Sequence, residues 1–140
     1  WGALVGWPAV TGTLDWPALL LWLGSVAWVV GYDTLYAIQD MEDDALVGVK
    51  SSARRLGDKA PIGVAVFYAL ALAGWGAAIW LVKPDWLALA ALVPAALHLS
   101  GQALRADPND GAGALALFRS NRWCGLLVFL AMLVVGLSAA

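Results

Sequence analysis

Four stretches of this sequence, each about twenty residues long, run almost without charge between clusters of acids, bases, glycine and proline. A hydrocarbon core of ~30 Å needs about 20 apolar residues at ~1.5 Å rise each, so each run is long enough to cross a bilayer as a helix. No other feature constrains the fold as tightly. Composition agrees: 62% of residues are hydrophobic and 13% charged, against roughly 45–50% and 25% in soluble domains. The expected fold class is therefore all-α, a polytopic transmembrane helical bundle with the lipid bilayer as its surroundings. A net charge of -2 gives no reason to expect a nucleic-acid partner, and a single Cys124 can form no internal disulfide.

The expected spans cover residues 16–38, 61–82, 86–104 and 123–140, preceded by an apolar stretch over about 1–11 that would supply only half a crossing. The sequence is accordingly expected to be the C-terminal part of a longer protein. Pro61 suits the first turn of a helix. Between the first and second full spans lies a polar segment, about 39–60, in which Ser51 or Ser52 could cap a short helix ended by Gly57. Residues 112–118 read as a segment too short to cross. The loop around Asp15 has no Lys or Arg, the 39–60 segment has four, the Lys83 turn one, and the 105–122 loop three. By the positive-inside rule the two long loops share the cytoplasmic side. Trp16, Trp80, Trp86 and Trp123 fall near span ends, where interfacial tryptophans belong; the other five are expected to pack or to line a cavity.

Chemistry concentrates in the polar segment. Asp33, Asp40 and Asp44 are spaced by seven and four, which on one unbroken helix places them within an arc of roughly 40°. Glu42 would point away and Asp43 to one side. Carboxylates ~5 Å apart repel by about 3 kcal/mol per pair at an effective dielectric near 20, so the face calls for a counter-charge, most simply a divalent oxygen-liking cation. Mg²⁺ suits it better than Ca²⁺, because Mg²⁺ binds through one or two carboxylates plus substrate phosphates and no EF-hand-like loop is present. The alternative is a solvated acidic loop offset by its own bases. Against that, Asp33 lies within a span, where a carboxylate is costly and marks function. Lys50 and Arg54 follow the acids closely enough to contact the same phosphates, whereas Arg55 and Lys59 can be read as topology alone.

The stretch YDTLYAIQDMEDDALVGVKSSARRLG, Tyr32 to Gly57, resembles the second aspartate motif of the UbiA-type membrane prenyltransferases, in detail the 4-hydroxybenzoate polyprenyltransferase branch. FRSNRWCGLLVF, Phe118 to Phe129, is similar to that family's entry into its last helix, and WGALVGW to the end of its fifth. The resemblance implies about five of nine family helices, the first truncated. It implies transfer of a polyprenyl group from polyprenyl diphosphate to the ring of 4-hydroxybenzoate in ubiquinone biosynthesis, with Mg²⁺ as cofactor. Asp40 and Asp44, with Asp33, would be the catalytic metal ligands; Lys50 and Arg54 would hold the diphosphate; Tyr32, Tyr36 and Asp43 could line the cavity, the tyrosines serving equally as interfacial anchors. The site would lie in a bacterial inner membrane, or in the mitochondrial inner membrane of a eukaryote. The family's first motif, an NDxxDxxxD pattern, and the basic residues of the N-terminal half that help define the acceptor site have no counterpart in these 140 residues, which are expected to be inactive alone. Other readings are another aromatic acceptor within the superfamily, a cation channel or transporter gathering ions on its acidic face, and a noncatalytic helical anchor. His98 and Gln102, four apart on one face, suit interhelical hydrogen bonding or a substrate contact, and Asp107 with Asp110 reads as turn chemistry.

Overall fold

The computed structural model describes residues 1–48 and 50–139, without the side chains of Glu42, Asp43, Ala45 and Ala139. Its elements are α1 (Gly2–Thr11), α2 (Trp16–Gln39), α3 (Met41–Val47), α4 (Ser52–Leu56), a 3₁₀ turn (Gly57–Lys59), α5 (Ala60–Val82), α6 (Trp86–Ala90), α7 (Val93–Arg105) and α8 (Gly111–Ala139). Among the described residues there is no strand, as a chain dominated by bilayer-crossing segments requires. Four stretches, Trp16–Gln39, Ser52–Val82, Trp86–Arg105 and Gly111–Ser138, are long and apolar enough to span. The protein is an all-α polytopic bundle.

Helices in lipid gain little from burying apolar surface against one another, so close backbone approach and polar contacts have to hold them together. The α2–α5 pair is the most extensive in the bundle, and glycines make it possible. A Cβ on Gly74 would stand 2.9 Å from Gly24 Cα, one on Gly24 would stand 2.9 Å from the Ala71 carbonyl oxygen, and one on Gly31 would stand 2.7 Å from Tyr68 Cε1. Into the space beside them fit the fully buried Leu35, Val64, Trp75 and Ile79, with Trp75 Nε1 donating to Ser25 Oγ at 3.3 Å. Then α8 packs on α2, and α7 on α5 and α8.

Two elements depart from the sequence expectation. The third full span is two helices, α6 and α7, separated at Ala91–Leu92. Pro94, in the first turn of α7, has no N–H to donate and its ring would clash with the carbonyl four residues back. Further on, the short 112–118 segment, the Arg119–Arg122 stretch and the last span are one helix, α8. Between Phe118 and Trp123 there is neither Gly nor Pro, and arginine is a good helix former; the charges mark depth in the membrane, not a break. At 29 residues, α8 is about 43 Å long, near the ~40–45 Å of a bilayer with its headgroups. The loop before it is correspondingly shorter, 106–110.

The helix ends sort into two sets. A Cβ on Gly111 would meet Gln39 Cα at 3.3 Å, so the start of α8 abuts the end of α2 and both long polar segments lie at one end of the bundle. At the other end, Lys83 Nζ donates to the Ser138 carbonyl at 2.6 Å. Trp80 and Trp86 meet there at a tilt of 53°, 5.0 Å between centroids, while Trp28 and Trp75 are packed inside.

Candidate functional site

The apolar run of α2 stops at Gln39, and the helix stops with it. Asp40 stands between α2 and α3 with φ -96° and ψ 6°, so angular arithmetic based on one unbroken helix does not carry Asp33 and Asp44 onto a common face across it. The condition of one unbroken helix is not met: there are two, α2 and α3. Asp40 still lies one turn from Asp44, its carbonyl accepting the Asp44 N–H at 2.8 Å; both residues are half-buried and Asp33 is exposed. No group of three acidic, histidine or cysteine side chains among the described residues is gathered as a ready-made metal cage. The side chains of Glu42 and Asp43 lie outside the described residues. Two carboxylates one turn apart are nevertheless a donor set that fits Mg²⁺, which takes one or two carboxylates and completes its shell with water and substrate phosphate.

Beyond Gly48, whose φ of 76° ends α3 in the left-handed region, the chain turns into α4. Ser51 is the N-cap, its Oγ accepting the Arg54 N–H at 3.4 Å, and Gly57 closes α4 with φ 53°, as the sequence suggested. Lys50, Ser51, Ser52, Arg54 and Arg55 together line a cavity of about 570 Å³. Lys50 and Arg54 were expected to act together; Arg55 and both serines join them. Arg54 Nη1 also donates to the Asp44 carbonyl at 2.9 Å, tying the basic segment to the acidic one. A second tie comes from inside the bundle. Thr34, fully buried, gives its hydroxyl proton to the Val30 carbonyl at 2.8 Å, which leaves its oxygen to accept from Ser52 Oγ, 3.1 Å away. The basic cavity is thereby fastened to α2 at the residue next to Asp33.

Tyr32 lines a separate cavity between α2 and α8, and Tyr36 lies half exposed with its ring 5.0 Å from that of Phe118. Behind this cavity runs a polar network that sequence reasoning saw in part. Gln102 Oε1 accepts from Tyr68 O–H at 2.6 Å and from Asn121 Nδ2 at 3.3 Å, while its Nε2 donates to Ser120 Oγ at 2.7 Å and lies 3.1 Å from His98 Nε2. Asn121 Oδ1 accepts from Trp28 Nε1 at 2.8 Å. The His98–Gln102 pair is thus an interhelical hydrogen-bonding unit. Its extension through Asn121 to Trp28 was hidden because Asn121 sits between two arginines that read as loop.

Compared with known protein families, the chain matches the UbiA prenyltransferase family over residues 1–133. The chain belongs to that family. This UbiA-family chain is 41% identical over 136 residues to the 4-hydroxybenzoate polyprenyltransferase, mitochondrial, of Arabidopsis thaliana, covering 92% of the chain and 32% of that protein. It is 40% identical to the protein of the same name from Rattus norvegicus, over 96% of the chain and 36% of the relative, and 35% identical to that from Aedes aegypti, over 96% and 31%. It therefore spans about a third of the length of the curated relatives it matches. No solved structure matches it. Within the UbiA-family chain, the acidic α2–α3 junction and the basic cavity adjoin one another at one end of the bundle, and the aromatic cavity opens one residue before Asp33.

Proposed function

We propose that this chain forms part of a membrane enzyme that transfers a polyprenyl group from polyprenyl diphosphate to the ring of 4-hydroxybenzoate in ubiquinone biosynthesis. The observation that carries the reading is the cavity of Lys50, Ser51, Ser52, Arg54 and Arg55, fastened to α2 beside Asp33 by the Thr34–Ser52 contact. A diphosphate needs such a set: cations for its charge, and hydroxyl and backbone donors for its oxygens.

Lys50, Arg55 and the Arg54 guanidinium stabilise the negative charge that builds on the departing diphosphate as the allylic C–O bond breaks. Asp40 and Asp44, with Asp33 nearby, would hold Mg²⁺, which when bound neutralises diphosphate charge. The apolar surroundings of α2, α5 and α8 keep water from the prenyl cation, so that the electron-rich ring carbon beside the phenol captures it. The ring carbon loses its proton afterwards and the ring regains aromaticity. Tyr32 and Tyr36 border the path, and Asp43 belongs to the acidic stretch. In the full-length enzyme these residues work with the first aspartate motif that the family resemblance implies, so the 140 residues alone do not turn substrate over. Relatives whose names carry the word mitochondrial support a mitochondrial membrane as the setting in a eukaryote; in a bacterium the corresponding setting is the inner membrane.

The test is turnover of labelled polyprenyl diphosphate with 4-hydroxybenzoate by the purified full-length protein at varied Mg²⁺. Asp40→Ala and Asp44→Ala are each expected to lower the rate by at least ~10²–10³, the loss that follows removal of one transition-state contact. Near-wild-type rates with unchanged Mg²⁺ dependence would rule the assignment out, and transfer to a naphthoate or homogentisate instead would assign the chain to another acceptor branch.

A further inference from the structure

The polar network that joins α7, α8 and α2 has a direction, set by groups that can play only one part. An indole N–H only donates and a backbone carbonyl only accepts, whereas an amide or an imidazole can be turned either way round. Trp28 Nε1 donates to Asn121 Oδ1 at 2.8 Å, so Asn121 presents its Nδ2 to the rest of the network. The Leu117 and Phe118 carbonyls, each 3.2 Å from Nδ2, hold it the same way. Nδ2 donates to Gln102 Oε1 at 3.3 Å, which leaves Gln102 Nε2 to donate to the Leu117 carbonyl at 3.2 Å and to Ser120 Oγ at 2.7 Å. Reversing either amide would set oxygen against carbonyl oxygen and N–H against N–H.

The last member of the chain is His98, whose Nε2 lies 3.1 Å from Gln102 Nε2. An amide nitrogen donates and does not accept, so a hydrogen on His98 Nε2 would be driven against those of the amide. Ser120 Oγ, 3.4 Å from the same nitrogen, gives its proton to the Leu117 carbonyl at 2.8 Å. Nε2 therefore carries the lone pair of the ring and Nδ1 its hydrogen, since the tautomer follows from the hydrogen bonds the two nitrogens make. An indole on α2 thus dictates the tautomer of a histidine on α7, through one amide on α8 and one on α7. Coupling of this kind is reciprocal: what the indole imposes on the imidazole, the imidazole imposes on the indole.

The far end of the chain reaches the side chains that border the prenyl path. The Trp28 ring meets Tyr32 edge to face at 5.2 Å between centroids, Tyr32 meets Phe118 at 5.7 Å, and the residue after Tyr32 is Asp33. Gln102 and Asn121 are buried, and in a bilayer-crossing segment no water takes the place of a missing acceptor. We propose that His98 is a positioning residue for prenyl transfer: accepting at Nε2, it keeps Gln102 and Asn121 in register and so fixes Trp28 and Tyr32 beside the acidic stretch. The inference rests on the function proposed above, and gives a task to a histidine that the diphosphate chemistry leaves unused.

The experiment uses the full-length protein in proteoliposomes with ¹⁵N-labelled histidine. Solid-state NMR reads which ring nitrogen is protonated, and the His98 signal is the one lost in His98→Gln. The wild type is expected to show hydrogen on Nδ1 and a bare Nε2. Gln102→Glu, which puts an acceptor where the amide donated, should bring a proton onto Nε2. A wild-type ring with hydrogen on Nε2 would overturn the proposal. Turnover supplies the second readout. His98→Leu is expected to lower kcat about tenfold, within the ~10² that a misplacement of about 1 Å can bring. KM for prenyl diphosphate should change less than about twofold, because the basic cavity is fastened to α2 through Thr34 and Ser52 and not through this network. His98→Gln, whose Oε1 can accept, should recover most of the rate, and His98→Lys, which can only donate, none of it. Equal rates in the Gln and Lys variants, or a loss that falls on the prenyl diphosphate KM, would overturn the positioning role. If the wild type transfers no prenyl group, the transferase reading falls and the task of His98 with it, while the tautomer decides the network on its own.

Discussion

Gln102 has no exposed surface although it lies in a segment long and apolar enough to cross the bilayer, and every polar atom of its amide has a partner on another helix. Replacing it by Leu would leave the buried Tyr68 hydroxyl without its acceptor and take away the amide that donates to Ser120 Oγ. The expected loss is about 1–3 kcal/mol for buried polar groups left unpaired, toward the lower end because membrane hydrogen bonds average less. It would be read as a lower unfolding temperature of the full-length protein in detergent, and an unchanged temperature would show the network to be energetically idle. Thr34 offers a sharper test of how the site is held. Thr34→Val keeps shape and burial but removes the oxygen facing Ser52, so KM for prenyl diphosphate should rise about fivefold, the equivalent of one ordinary hydrogen bond of ~1 kcal/mol. Acceptor KM should stay as it was; an equal rise in both would mean that the contact supports the whole fold and not the basic cavity. Residue identities were readable in sequence only where a polar group interrupted an apolar run. Asp33, His98 and Gln102 stood out in that way. Thr34 and Asn121 did not, because threonine is inconspicuous in a membrane helix and Asn121 was masked by its arginine neighbours.

Helix existence follows from hydrophobic length, and on that basis the four spanning stretches were visible before any coordinates. Helix ends and breaks follow from local chemistry that length does not report. Pro94 divides one span into α6 and α7, whereas Arg119 and Arg122 do not divide α8, since cations at headgroup depth are compatible with continuous helix. The angular relation of Asp33, Asp40 and Asp44 was legible only on the condition of one unbroken helix, and α2 ends at Gln39 with α3 starting at Met41. The glycine contacts between α2 and α5 were not singled out at all, since a glycine in a membrane run carries no sign of what approaches it. Their weight can be measured. Gly74→Val would drive a branched side chain against Gly24 Cα and the Leu20 carbonyl, already 2.9 and 3.0 Å from a bare Cβ. Overpacking of this kind is expected to destabilise by about 1–3 kcal/mol, seen as lower thermal stability and reduced yield of folded full-length protein.

At the scale of the whole molecule, both charged segments meet at one end of the bundle, while Lys83 and the end of α8 meet at the other. With the basic residues distributed as they are, cysteines introduced at Asp58 or Asp110 should be labelled from the cytoplasmic side of intact cells, and those at Asp15 or Asp85 only from the opposite side. Labelling of Asp15 and Asp58 substitutes from the same side would refute this topology. The amide network that joins α5, α7 and α8 has a further consequence, for the order in which the protein is made. When α7 leaves the ribosome, Gln102 and His98 have each other and Tyr68 already synthesised; the Leu117 carbonyl, Ser120 and Asn121 arrive with α8. Until then α7 carries unsatisfied amide and imidazole groups into a medium without water, so the insertion machinery is expected to hold it and release α7 and α8 together. Nascent chains arrested before α8 should crosslink through α7 to the translocon, and chains carrying Gln102→Leu should lose that crosslink and pass into lipid early.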